Sequence, residues 1–156
     1  MGTLIIIDGE PDPAAAAYID DVDSGSTNST SHSLSIGIGA EPSVDEGDRL
    51  VVVSVNLASA GNPTISAATI GGIAATIGTR YSSDSPVGRY STAFIWAVVP
   101  TGTSATVALT LSSAALARLR SFRVVTLLST VPVDDEGNTT TSASAFGANL
   151  DVVDGG

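Results

Sequence analysis

Apolar residues recur at every second position along most of this chain, and turn-forming residues interrupt the alternation at short intervals. That spacing belongs to antiparallel β structure, in which successive side chains take opposite faces. Over residues 33–38 it puts Leu34, Ile36 and Ile38 on one face, and over 50–57 it puts Val51, Val53, Val55 and Leu57 together, while the opposite face changes from Leu50 and Val52 to Ser54 and Asn56. Residues 65–78 carry Ala-Ala-Thr-Ile-Gly twice around Gly71-Gly72, which predicts a hairpin whose two glycines supply the positive φ angles of a tight turn. A strand over 90–98 aligns Tyr90, Thr92, Phe94, Trp96 and Val98. Aromatic residues are scarce, so Phe94 and Trp96 are the expected core anchors.

Residues 17–22 read as a first strand, 105–111 as another with Ala105, Val107, Leu109 and Leu111 in phase, and 112–119 as a short helical turn. A strand over 120–130 and a last one over 139–153, with Phe146, Leu150 and Val152 in phase, complete the series. The fold expected is all-β: a single antiparallel β-sandwich, jelly-roll or Ig-like, of about eight or nine strands over residues 14–156. Residues 24–31 read as a Ser/Thr loop or linker, and 80–88 as a polar loop. Residues 1–13 stand apart, because the apolar run Leu4, Ile5, Ile6, Ile7 is followed by Pro11 and Pro13, which interrupt a central strand. This segment is an N-terminal arm for assembly, or else a simple edge strand.

Composition narrows the chemistry. The chain has 156 residues, enough for one domain with a sizeable core, and no cysteine, which removes disulfides and thiolate chemistry. Its net charge is −10 and all six basic residues are arginine, so a phosphate backbone is repelled unless Arg118, Arg120 and Arg123 make an isolated basic patch. Nucleic acid is not an expected partner. Nor is a membrane, because the uncharged stretches 50–79 and 90–117 are broken by Pro or Gly and alternate in polarity. The first residues also lack the basic start and the apolar length of a secretory signal.

No catalytic constellation emerges. The one histidine, His32, lies at the edge of a Ser/Thr-rich loop and reads as a solvated surface residue, with no nucleophile elbow to serve. Three acidic groups, Asp20, Asp21 and Asp23, then Asp45, Glu46 and Asp48, then Asp134, Asp135 and Glu136, could offer oxygen ligands to calcium, but the signal is weak, and twelve positions counted from Asp21 reach His32 instead of the bidentate Glu of a calcium loop. Solvated turns are the expected reading, with no catalytic, cofactor-binding or metal-binding residue.

Three segments carry a resemblance. Asp48-Arg49-Leu50-Val51-Val52-Val53-Ser54-Val55, Ile65-Ser66-Ala67-Ala68-Thr69-Ile70-Gly71-Gly72-Ile73-Ala74-Ala75-Thr76 and Ala93-Phe94-Ile95-Trp96-Ala97-Val98-Val99-Pro100-Thr101-Gly102-Thr103 resemble, in order and kind, small β-sandwich virion structural proteins of tailed phages and related bacterial elements. These are motifs of fold. The resemblance implies a non-enzymatic virion protein at the outer surface of the particle, most simply a capsid decoration (cement) or head-spike base protein. Its partners are then the major capsid protein or other virion proteins, and symmetric assembly with further copies of itself, as a trimer, is expected because it would protect edge strands. The alternative is a tail or fibre accessory domain that binds a cell-surface glycan. That reading needs exposed aromatics, for which only Tyr81, Tyr90 and Trp96 are candidates, and the strand phase above turns Tyr90 and Trp96 inward.

Overall fold

The computed structural model describes residues 15–44, 48–85 and 88–125. The expected arm with Leu4, Ile5, Ile6 and Ile7, the last strand over 139–153 and the acidic loop at Asp134 lie outside the described residues. Among the described residues every regular element is a strand: β1 (Ala15–Asp23), β2 (Ser29–Gly37), β3 (Leu50–Ser59), β4 (Ile65–Ile70), β5 (Ile73–Ala74), β6 (Thr76–Ile77), β7 (Tyr81–Ser85), β8 (Gly88–Val98) and β9 (Ser104–Val125).

β9 organises the rest. Its odd-numbered residues Ala105, Val107, Leu109, Leu111, Ala115, Ala117 and Leu119 are all buried, so one strand of 22 residues keeps a single face on the core without a change of phase. Straight, it would run to about 70 Å, whereas a domain of this size has a radius of gyration of about 15 Å. It must bend. The small residues Ser112, Ser113, Ala114 and Ala115 mark the bend, and there β2 and β4 both shift register against it.

Backbone groups that the ladder gives up at the bend find other partners. The Ala114 carbonyl accepts from Ser59 Oγ at 2.7 Å, and the Ser112 amide donates to the Thr64 carbonyl at 2.9 Å. The Ala115 carbonyl accepts from His32 Nε2 at 2.9 Å. His32 is therefore not a solvated surface residue. It is 5% exposed, in phase with Leu34, Ile36 and Ile38, and its ring holds the bend of β9. The helical turn expected over 112–119 is likewise absent, because these residues continue the strand.

β1 and β2 make one broken run beside β9, from Ala15 opposite Val125 to Gly37 opposite Ser104, and β3 and β4 make a second run on its other side. β8 lies beyond β3. The Gly-Gly hairpin then brings the ends of the sheet together. Gly71 and Gly72 have φ of 61° and 81°, values that disfavour residues with a Cβ. β5 returns against β4, and β6 moves across to pair with β8, Thr76 facing Trp96 and Ile77 facing Ile95. Among the described residues all pairings are antiparallel, and the nine-stranded sheet nearly closes into a barrel. The polar loop expected over 80–88 contains β7, which pairs with β8.

The core is aliphatic. Val51, Val53 and Val55 of β3 meet Ile36, Ile70, Ile95, Val107 and Leu119 in one cluster, each essentially without solvent exposure. Phe94 and Trp96 are not its anchors. Register decides this: Val53 is paired with Ile95 and Ser54 with Phe94, so the face that buries the β3 valines buries Ser91, Ala93, Ile95 and Ala97 and turns Phe94 and Trp96 outward. The interior leaves little room for rings, because Ala93, Ala97, Ala105, Ala115 and Ala117 are among its inward residues.

Candidate interaction surface

The outward face of the sheet β1–β9–β3–β8 can be built row by row from its register. The first row crosses Ala16, Val124, Leu50 and Val98, with Leu50 itself buried; the second crosses Tyr18, which is exposed, and Phe122, Val52 and Trp96, which are half-buried. Next come Arg120, Ser54 and Phe94, followed by Asp23, Arg118, Asn56, Thr92 and Tyr81. Leu116, Ala58 and Tyr90 form the last. Of the three Tyr, three Phe and one Trp in the chain, only Phe146 lies outside the described residues, and all the others stand on this one face. Tyr18 is 57% exposed, Tyr90 58% and Phe94 40%.

The opposite half of the barrel is different. Where β2, β9 and β4 run together, the outward residues are Ser31, Ser33, Ser35, Thr106, Ala108, Thr110 and Thr69. The contrast has a physical meaning. Small hydroxylated side chains are well solvated and offer little area, while Tyr, Trp, Phe and Arg are the residues enriched where proteins bind partners.

The aromatic face has two parts. Its first two rows are apolar and lie beside the ends of β1 and β9, where Ala15 is opposite Val125. There Tyr18 and Phe122 meet edge to face, with centroids 6.0 Å apart and planes at 66°. Its last two rows, about 20 Å away along β3, are mixed, and they enclose an open cleft of about 390 Å³ lined by Asp23, Asn56, Ala58, Tyr90, Thr92, Leu116 and Arg118.

Polar groups in this second part are held in place. Thr92 Oγ1 donates to Asn56 Oδ1 at 2.8 Å, and Asp23 Oδ1 accepts from the Gly25 amide at 2.7 Å. Arg118 forms an ion pair with Asp21 at 2.5 Å, and its guanidinium lowers the Asp21 carboxyl from its ordinary value while the carboxylate raises Arg118. A lowered carboxyl stabilises the fold above its unfolded pKa, and that contribution fades as pH falls through the folded value. Both side chains are exposed, so the effect is small. Arg118 and Arg120 are thus matched by β1 acids across the strand, Arg120 facing Asp21, and do not form an isolated basic patch. The first acidic group is dispersed as well, since Asp20 accepts from the Asp21 and Gly37 amides.

One arginine differs from all of these. Arg49 has no solvent exposure, and its guanidinium donates to four carbonyls: Nε to Val99 at 2.8 Å, Nη1 to Gly39 at 3.0 Å and Ala40 at 2.8 Å, Nη2 to Thr101 at 2.9 Å. Burial lowers its pKa, and the nearby Arg123 cation adds to this, yet an arginine starts so high that it stays charged. The group ties the β2–β3 connection to the β8–β9 connection at the end of the barrel beneath the apolar rows. The sequence reading missed it, although Arg49 is in phase with Val51, Val53 and Val55.

The fold and this surface together define an antiparallel, barrel-like β module with one aromatic and one hydroxylated face. No family model, curated protein or solved structure matches the chain.

Proposed function

We propose that this chain is a non-enzymatic virion structural protein, a capsid decoration or head-spike base protein bound to the outer shell of a tailed phage or phage-like particle. The observation that carries the reading is the pair of apolar rows, Tyr18, Phe122, Val52 and Trp96 beside Val124 and Val98, on an otherwise acidic molecule. Such a patch, rimmed by polar groups and seated on a rigid sheet, suits a protein partner. The resemblance of the segments at Asp48, Ile65 and Ala93 to virion proteins supplies the direction. In this reading the flattened barrel serves as the two-sheet sandwich, jelly-roll or Ig-like, of that family. The arm with Leu4, Ile5, Ile6 and Ile7 reaches the major capsid protein or a sister subunit, and a trimer shields β1 and β2.

Purified protein mixed with undecorated heads should sediment with them, and Phe122→Ser or Trp96→Ser should weaken that association about 10- to 100-fold, the size of a hot-spot loss. Failure to bind heads, together with a tail location by microscopy, would overturn the reading. A second reading, a tail or fibre accessory domain that binds a cell-surface glycan, gains from a specific observation: β8 presents Tyr90 and Phe94 outward, where the sequence phase had turned Tyr90 inward.

A further inference from the structure

We propose that the cleft between Tyr90 and Leu116 binds one or two rings of a neutral saccharide. The inference deepens the glycan reading and is independent of the decoration reading, which uses the far end of the same face. The floor is made by the small β3 residues Asn56 and Ala58, and the walls by Tyr90 on β8 and by Leu116 and Arg118 on β9. At about 390 Å³ it falls in the range of small-ligand sites, and its lining is mostly apolar with a few convergent polar groups.

The chemistry of the lining selects the class. A purely apolar ligand would cover Asn56, Asp23 and Arg118 without pairing them, at a cost in desolvation. An extended peptide binds by adding to a free strand edge, but β3 is bonded on both sides, to β8 and to β9, so the cleft offers no main-chain ladder. A pyranose ring fits better: its C–H face can lie against the phenol ring of Tyr90 and the side chain of Leu116, while its hydroxyls reach the amide, the carboxylate and the guanidinium. Those groups are already oriented, Asn56 by Thr92, Asp23 by the Gly25 amide and Arg118 by Asp21. Preorganisation of this kind reduces what binding must spend on ordering.

Charge decides between sugars. The chain carries −10, and at the rim Arg118 is paired with Asp21 and faces Asp23 across the strand, so it offers an anion no uncompensated cation. An anionic saccharide is repelled, and a neutral polyol is not.

The test is an amide-resolved NMR titration of the ¹⁵N-labelled full chain with cellotriose, maltotriose, triacetylchitotriose and mannotriose, and with 3′-sialyllactose as the anionic arm. At least one neutral trisaccharide should move the amides of Ala58, Tyr90 and Leu116 and leave those of Val52 and Phe122 in place. Tyr90→Ala should weaken that binding at least 10-fold, and Tyr90→Phe, which keeps the ring, should stay within about 3-fold of the original. Tyr90 is 58% exposed, so both variants should fold, and their spectra report it directly. Binding of sialyllactose alone overturns the neutral class. Shifts confined to other parts of the surface overturn the site but leave the glycan reading standing. Silence from every sugar overturns both, and loss of head binding by Tyr90→Ala would then assign the cleft to a protein contact.

Discussion

Replacing Arg49 by leucine should cost about 3–5 kcal/mol, the largest single loss expected in the molecule. The leucine fills part of the space but donates nothing, so the carbonyls of Val99, Gly39 and Thr101 lose this donor, and that of Ala40 keeps only Arg123 Nε. Those carbonyls belong to two connections, so the loss also frees them from one another. Against a total of about 5–15 kcal/mol for a domain, the change removes a large share of the stability. Urea unfolding followed by Trp96 fluorescence should show the midpoint falling by about 1–5 M, given slopes of about 1–3 kcal/mol/M. Arg49→Lys should recover only part of this, because an ammonium is compact and cannot span four carbonyls as a planar fork does. A leucine variant within 1 kcal/mol of the parent would show that the connections are held by something else.

The second large effect lies in β8 and follows from its phase. Ile95→Ala should cost about 2–5 kcal/mol, the range for truncating a fully buried aliphatic side chain, since Ile95 has no exposure and packs between Val53 and Ile77 across its two ladders. Phe94→Ala, one residue away and larger, should cost about 1 kcal/mol or less, because its ring is already 40% in solvent. The order is the reverse of what residue size suggests. Thermal or urea unfolding of the two variants side by side decides it, and a costlier Phe94→Ala would restore the inward aromatics expected from sequence.

Why the sequence misleads at β8 is instructive. In β3 the faces differ in kind, with valines on one side and Ser54 and Asn56 on the other, so the alternation alone identifies the buried face. In β8 both faces are apolar, Ala93, Ile95 and Ala97 against Phe94, Trp96 and Val98, and period two offers no choice between them. Preferring the larger residues is then natural and incorrect. The phase comes from the partner strand, through Val53 opposite Ile95, and pairing across about forty residues is not visible in a local window.

The same holds for β9. Two alternating segments in phase, 105–111 and 115–125, are one strand, but Ser112-Ser113-Ala114 looks like an interruption until its partners are known. His32, read from sequence as a surface residue, and Arg49 are both legible by phase, since His32 alternates with Leu34 and Ile36 and Arg49 with Val51 and Val53. Polar character argued for the surface. Periodicity argued for the interior, and periodicity was the better guide, because each side chain reaches backbone carbonyls that the ladders leave unpaired. The aromatic face was not legible at all, since it is assembled by register from β1, β7, β8 and β9, elements distant in the chain.

Tyr18, Tyr90 and Phe94 stand open to solvent on this face in the free protein, and the proposed decoration role requires the apolar end around Tyr18, Trp96 and Phe122 to be covered on the particle. Hydroxyl-radical footprinting of the free and the head-bound protein, read residue by residue by mass spectrometry, tests it most directly. The expected result is strong oxidation of Tyr18, Tyr90 and Phe94 in the free protein, with Tyr18, Trp96 and Phe122 protected on the particle and Tyr90 still reactive. Tyr18 and Phe94 as unreactive as Ile95 in the free protein, or Tyr18, Trp96 and Phe122 oxidised equally with and without heads, would contradict it.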